Sequence, residues 1–186
     1  MTRLTVYADT DAERPLFATG AHETAQRELA RIGVLLDRRD VRKDLPPEAG
    51  DAAVLAAYGD TVEHLKRERG YGSADVVRIL RGASGTAPLR AKFLNEHTHS
   101  EDEARFFVEG SGAFYLHVGD RVFVLECSPG DLLSVPAGAP HWFDMGADPH
   151  FTAIRFFTAP NGWAAALTGD PIADRFPKYE SAAELA

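Results

Sequence analysis

The sequence predicts a mainly β fold with flanking helices (α+β), closed as an antiparallel sandwich or barrel. Two observations carry this. First, short apolar runs follow one another at residues 104–108, 113–118, 121–125, 132–135 and 151–157. Second, turn residues punctuate them: Gly110, Gly112, Gly119-Asp120, Pro129-Gly130-Asp131 and Gly138. Many short strands separated by regular turns pack as two antiparallel layers or a closed barrel. Upstream of residue 89 the pattern is mixed, and it reads as an N-terminal α/β elaboration.

In chain order, residues 3–8 read as a strand with Leu4 and Val6 on one face. Residues 22–32 read as a helix with Ala25, Leu29 and Ile32 on its apolar stripe and Gly33 as its stop. A short strand at residues 34–38 precedes a loop at residues 43–50, marked by Pro46 and Pro47. Asp51 is the expected N-cap of a second helix, with Val54, Leu55, Tyr58, Val62 and Leu65 three or four apart and Gly70 beyond its end. Residues 76–80 are strand-like and residues 87–93 form a helical turn. Val118-Gly119-Asp120-Arg121-Val122 reads as a hairpin. Residues 169–186 look polar and weakly patterned, and no element is expected there. The whole chain, 1–186, is expected to be one domain: an elaboration over 1–88, a barrel core over 89–168 and a tail over 169–186.

Composition narrows the function. At 186 residues and 45 % hydrophobic, the chain can bury a core. A net charge of −8 argues against nucleic acid and anionic membrane surfaces as partners. A single cysteine, Cys127, excludes an internal disulfide and suits a reducing cytoplasm. The N-terminus lacks the apolar stretch of a signal peptide, and no run is long enough to span a bilayer. A soluble, cytoplasmic monomer is expected.

The chemistry is concentrated in four residues. His97, His99 and Glu103 fall within Asn95-Glu96-His97-Thr98-His99-Ser100-Glu101-Asp102-Glu103, and His141 follows Pro136-Ala137-Gly138-Ala139-Pro140. Three imidazoles and a carboxylate form the ligand set of a divalent transition metal. On a strand, His97, His99 and Glu103 share one face. Four protein ligands on a six-coordinate ion leave two positions for substrate or dioxygen, which marks a catalytic site.

The same residues resemble the two cupin motifs, G-x5-H-x-H-x3,4-E-x6-G and G-x5-P-x-G-x2-H-x3-N. His97, His99, Glu103 and Gly110 fit the first, with Ala91 in place of its leading glycine. Gly130, Pro136, Gly138 and His141 fit the second, with Met145 in place of its final Asn. The resemblance implies a cupin double-stranded β-helix, a jelly-roll barrel with the metal inside. A closer resemblance comes from Lys92-Phe93-Leu94-Asn95-Glu96-His97-Thr98-His99, Glu101-Asp102-Glu103-Ala104-Arg105-Phe106-Phe107-Val108-Glu109-Gly110, Pro140-His141-Trp142-Phe143-Asp144-Met145-Gly146 and Gly162-Trp163. These segments are similar to the acireductone dioxygenase family. That resemblance implies a methionine-salvage enzyme that cleaves 1,2-dihydroxy-3-keto-5-methylthiopentene with O2. It further implies one Fe(II) or Ni(II) per chain, the metal choosing between two product sets.

Arg105 has the strand parity of Glu103, so its guanidinium is expected to face the metal cavity and stabilise an enediolate. Arg155 lies on a run whose two faces are both partly apolar, so only the resemblance puts it near substrate, and a structural salt bridge is the other reading. Phe93, Phe143 and Trp163 are candidate walls for the methylthio tail, although barrel core explains them equally well from the sequence alone. Glu96, Glu101 and Asp102 read first as solvated loop acids, with acceptors that orient the ligand histidines as the other reading, and His117 reads as structural or surface. Two competing readings stand beside this one. Another metal cupin, such as a different dioxygenase or a sugar isomerase, would share the ligands. So would a non-catalytic cupin that binds metal or a small molecule.

Overall fold

The structure, a computed structural model, describes residues 1–41, 45–159 and 164–180. Twelve strands and four α-helices are present among them, with a short 3-10 helix near the C-terminal end. The strands are β1 (Arg3–Ala8), β2 (Asp11–Thr19), β3 (Leu35–Arg38), β4 (Ser73–Ile79), β5 (His97–Thr98), β6 (Glu103–Gly110), β7 (Gly112–Val118), β8 (Arg121–Cys127), β9 (Asp131–Val135), β10 (His141–Asp144), β11 (Phe151–Phe157) and β12 (Ala166–Leu167). The helices are α1 (His22–Ala30), α2 (Asp51–Ala57), α3 (Gly59–Arg69) and α4 (Thr86–Phe93), and the 3-10 helix covers Pro171–Asp174.

All strand pairs are antiparallel. One sheet runs β12-β5-β10-β7-β8-β1-β2 and the other β3-β9-β6-β11-β4. This is the expected jelly roll, and strands from the first eighty residues extend both sheets.

Period-two alternation explains why so many strands are apolar on both faces. On β6, Phe107 points between the sheets while Phe106 and Val108 point outward. The inner layer joins Leu4 and Val6 of β1, Phe114 and Leu116 of β7, and Leu125 of β8 to Phe107, Leu133 and Phe151 of the facing sheet. The outer face of the five-stranded sheet is covered by Val54 of α2, Val62 and Leu65 of α3, and Tyr58 between them. The outer face of the seven-stranded sheet, with Tyr115 and Trp142, is covered by Ile172, Ala173, Phe176 and Tyr179. Tyr115 and Trp142 stack with ring centroids 5.0 Å apart and an interplanar angle of 11°.

Several elements depart from expectation. The second helix is two: Gly59 follows Tyr58, whose backbone leaves the helical region at φ −112°, ψ 19°. Gly50, not Asp51, takes the N-cap position of α2. Strand β2 was invisible in the sequence because it lies at a sheet edge with mostly exposed side chains, including Pro15. Part of the C-terminal stretch is a buried cover: Ile172, Ala173, Phe176 and Tyr179 meet a sheet face without a helical or strand period. The hairpin forms as read, with Val118 opposite Arg121 and Gly119 at φ +64°.

Gly110 and Gly119 make a controlled comparison. Both have positive φ, but a Cβ on Gly110 would lie 1.7 Å from the His150 carbonyl oxygen, whereas one on Gly119 meets nothing within 4 Å. Alanine at either position pays the left-handed backbone cost of roughly 1–2 kcal/mol. Gly110→Ala is therefore expected to lose about 3 kcal/mol or more, clearly more than Gly119→Ala, in urea unfolding. Equal losses would show that the sheet yields freely at the β6–β11 junction.

Candidate metal centre

The first candidate ligands come from adjacent strands. His141 opens β10 and sits directly opposite His97 on β5, with Leu116 of β7 on its other side. Period two turns His141 and Phe143 inward and Trp142 outward. His99 lies just past β5. Its backbone carbonyl accepts a bond from Gly138 N at 2.9 Å, which ties the two motif segments together. Glu103 begins β6 on the facing sheet. The two sheets thus close on four side chains at one end of the barrel.

Their geometry suits a metal. Candidate donor atoms of His97, His99 and His141 all lie within 4.8 Å of one another. Glu103 Oε2 stands 3.1 Å from His99 Nε2 and 3.2 Å from His141 Nε2. The far ring nitrogens are all occupied. Nδ1 of His97 bonds the Asn95 carbonyl at 2.7 Å, that of His99 the Ala164 carbonyl at 3.1 Å, and that of His141 the Ala139 carbonyl at 2.8 Å. A carbonyl only accepts, so each Nδ1 carries a proton and leaves Nε2 as the atom that would meet a metal.

Charge is arranged to match. Burial, reinforced by the neighbouring His141, lowers the His97 pKa to about 4, so this ring is neutral at neutral pH. Burial also opposes charge on His99, but the Glu103 carboxylate outweighs it and raises that pKa. Glu103 is 2 % exposed. Burial alone would favour its neutral form, yet the Arg105 guanidinium and the two imidazoles hold it well below the usual carboxylate range.

A cavity of about 470 Å³ opens above these residues. Arg105 lines it, as the strand parity predicts. Its Nε donates to Glu103 Oε1 at 2.6 Å, while its Nη1 is buried with no partner among the described residues. Phe114 and Phe143 flank the guanidinium, each 4.9 Å from it. Arg155 also lines the cavity, directly across the β6–β11 ladder from Arg105. Opposed like charges would repel, but Asp75 on the next strand takes two Arg155 bonds, at 2.8 and 2.6 Å. Arg155 thus lines the cavity and forms a structural salt bridge, so the two sequence readings are not exclusive.

Phe93 lines the cavity together with Phe157, Ala164, Ala165 and Leu167. Phe143 lies behind it, 1 % exposed and edge-on to Phe93 at 6.1 Å, within the inner core. Trp163 falls outside the described residues. Sequence reasoning passed over Phe157 and Leu167, because apolar residues in strands look alike until a cavity is found beside them. It also undervalued three acids. Glu96 is buried, Glu101 accepts from Thr158 and Ala159, and Asp102 accepts from Ala137 N at 2.9 Å. None of them meets a ring nitrogen of the three histidines through a described bond; backbone carbonyls do that work. Cys127 is buried, and burial together with Asp131 pushes its thiol well up, so it is no nucleophile.

Fold and site together define a metal-binding cupin. The comparisons identify which one. Residues 3–165 match the ARD/ARD' family. An acireductone dioxygenase from Parvibaculum lavamentivorans is 52 % identical over 181 residues, covering 97 % of this chain and 98 % of its own. One from Citrobacter koseri is 50 % identical over 179 residues, covering 96 % and 99 %. The solved structure of an acireductone dioxygenase from Bacillus anthracis, with a cadmium ion in its active centre, superposes with a TM-score of 0.76 at 30 % identity, covering 89 % of this chain and 98 % of that one. The chain belongs to the acireductone dioxygenase family and is an enzyme.

The Glu103 environment yields a test on metal-free protein. Its folded pKa is depressed, so its contribution to stability is fully present above the ordinary carboxylate value of 4.5 and is lost as pH falls through the folded pKa. Glu103→Gln should therefore be less stable than the parent near neutral pH, with the difference shrinking as the solution is acidified. Urea denaturation at a series of pH values measures this. A difference that stays constant would mean the carboxylate is not charged in the folded state.

Proposed function

We propose that this enzyme cleaves the acireductone 1,2-dihydroxy-3-keto-5-methylthiopentene with dioxygen in methionine salvage. With Fe(II) the products are formate and 4-methylthio-2-oxobutanoate; with Ni(II) they are formate, carbon monoxide and 3-methylthiopropionate. The observation that carries this reading is the set of three Nδ1-protonated imidazoles and one ionised carboxylate at the foot of a cavity lined by two arginines. His97, His99, Glu103 and His141 would hold the metal, one ion per chain. When bound, the ion supplies a Lewis acid and a template for a bidentate enediolate.

The chain's own residues account for the rest. Arg105 offers its unpartnered Nη1 to a substrate oxyanion in a water-poor setting, where a fixed donor is most effective. Its Nε stays committed to Glu103, so its aim is fixed before substrate arrives. Arg155 contributes positive potential, with its Nε and Nη2 held by Asp75. Phe93, Phe157 and Leu167 form the apolar side of the cavity, which suits the methylthio tail. Phe143 supports this wall from behind, packed against Phe93 and Arg105. Trp163, outside the described residues, is a candidate contact for the same tail on the family resemblance alone. We take the enzyme to work as a cytoplasmic monomer. Its one buried thiol and the use of its three apolar clusters within the chain support this. No described helix is long and apolar enough to cross a membrane.

Apo-protein loaded anaerobically with Fe(II) or Ni(II), then given the acireductone and dioxygen, should yield the two product sets named above. Turnover no faster than spontaneous oxidation in both forms would overturn the reading. Arg105→Met should keep its metal yet lose about 10²–10³-fold in kcat/KM. An unchanged rate would remove Arg105 from the oxyanion role.

A further inference from the structure

We infer that Glu96 and Glu101 are positioning residues of the metal centre, holding the piece of chain that fixes the His99 imidazole. This rests on the metal-centre reading above. The three imidazoles are not oriented alike. His97 and His141 each bond a carbonyl two residues earlier in their own segment, Asn95 and Ala139. Those carbonyls stay close whatever the rest of the chain does. His99 instead bonds the carbonyl of Ala164, 65 residues downstream. Its ring orientation and tautomer therefore depend on whatever keeps Ala164 in place.

Little apolar packing does so. Ala164, Ala165, Ala166 and Leu167 are exposed. The pairing of β12 with β5 covers only two residues, Ala166 opposite Thr98 and Leu167 opposite His97. Two acids that flank the histidines grip either side. On the downstream side, Glu96 accepts Thr168 Oγ1 on Oε1 at 2.7 Å, and its backbone carbonyl accepts Thr168 N at 3.1 Å. Glu96 is itself fixed: it is 4 % exposed, and His117 Nδ1 meets its Oε2 at 2.8 Å. On the upstream side, Glu101 Oε2 accepts both Thr158 Oγ1 and Ala159 N. The residues on each side of His97 and His99 thus grip the chain at Thr158–Ala159 and at Thr168, on either side of the carbonyl that meets His99. A carboxylate accepting two donors, one from backbone, defines position more sharply than a two-residue ladder.

The test uses full-length protein with ¹⁵N-labelled histidine. Long-range ¹H–¹⁵N correlation of the metal-free form reads each imidazole tautomer, and titration with Ni(II) reads affinity. Glu101→Ala and Thr168→Val each remove one grip. In both, His99 should lose its single Nδ1-protonated tautomer while His97 and His141 keep theirs, and Ni(II) should bind about 10–100-fold more weakly. Glu101→Gln, whose amide oxygen can accept the same two bonds, should restore both readouts. If Glu101→Ala fails to fold, Thr168→Val carries the test, since it removes one hydroxyl. An unchanged His99 tautomer in the folded variants overturns the inference. So does equal scrambling of all three histidines, which would indicate general loosening. Wild-type protein that binds no Ni(II) would instead overturn the metal-centre reading, and the His99 tautomer would still decide this one.

Discussion

A buried negative charge organises this end of the barrel. Glu103 sits between two sheets where an isolated carboxylate would be strongly disfavoured. It stays ionised because Arg105 meets one oxygen and two imidazoles meet the other. Strand register fixes two of those partners: Arg105 is two residues along β6 and His141 opens β10. His99 lies just past β5 and bonds the Ala164 carbonyl instead. Removing a partner leaves a buried charge less compensated, so these positions are energetically coupled.

The same charge explains the disposition of the arginines. Two guanidiniums face each other across the β6–β11 ladder. Such a pair is tolerable only because each has its own carboxylate, Glu103 for Arg105 and Asp75 for Arg155. Arg155 has two of its nitrogens committed to Asp75, and Arg105 keeps a buried nitrogen without a partner. The cavity is thus positive on one wall and apolar on another, lined by Phe93, Phe157 and Leu167. That asymmetry suits a small anion with an apolar tail.

Much of this was legible in the chain. The His97, His99, Glu103 and His141 spacing signalled the cluster, and parity placed Arg105 beside Glu103. Parity failed for Arg155 because β11 is buried on both faces: Ile154 and Phe156 pack under α2 and α3, while Phe151 and Ala153 face the inner core. Phe143 and Phe93 read alike as aromatic residues near a histidine, yet only Phe93 reaches the cavity. Glu96 and Glu101 read as solvated acids because their partners lie more than twenty residues away. The C-terminal cover was missed for a related reason. Its apolar residues have no helical or strand period, and their use appears only against the Tyr115–Trp142 face.

The sequence by itself determined the residue types of the His97, His99, Glu103 and His141 cluster, the alternation that builds two antiparallel layers, and the glycines where the chain must turn. These are local properties, set by side-chain chemistry and a period of two. The tertiary structure decided which apolar side chains meet the cavity and which fill the core. It also decided which arginine keeps a free nitrogen and which carbonyl orients His99. Those outcomes depend on contacts between segments distant in the chain, and such contacts exist only once both sheets have closed.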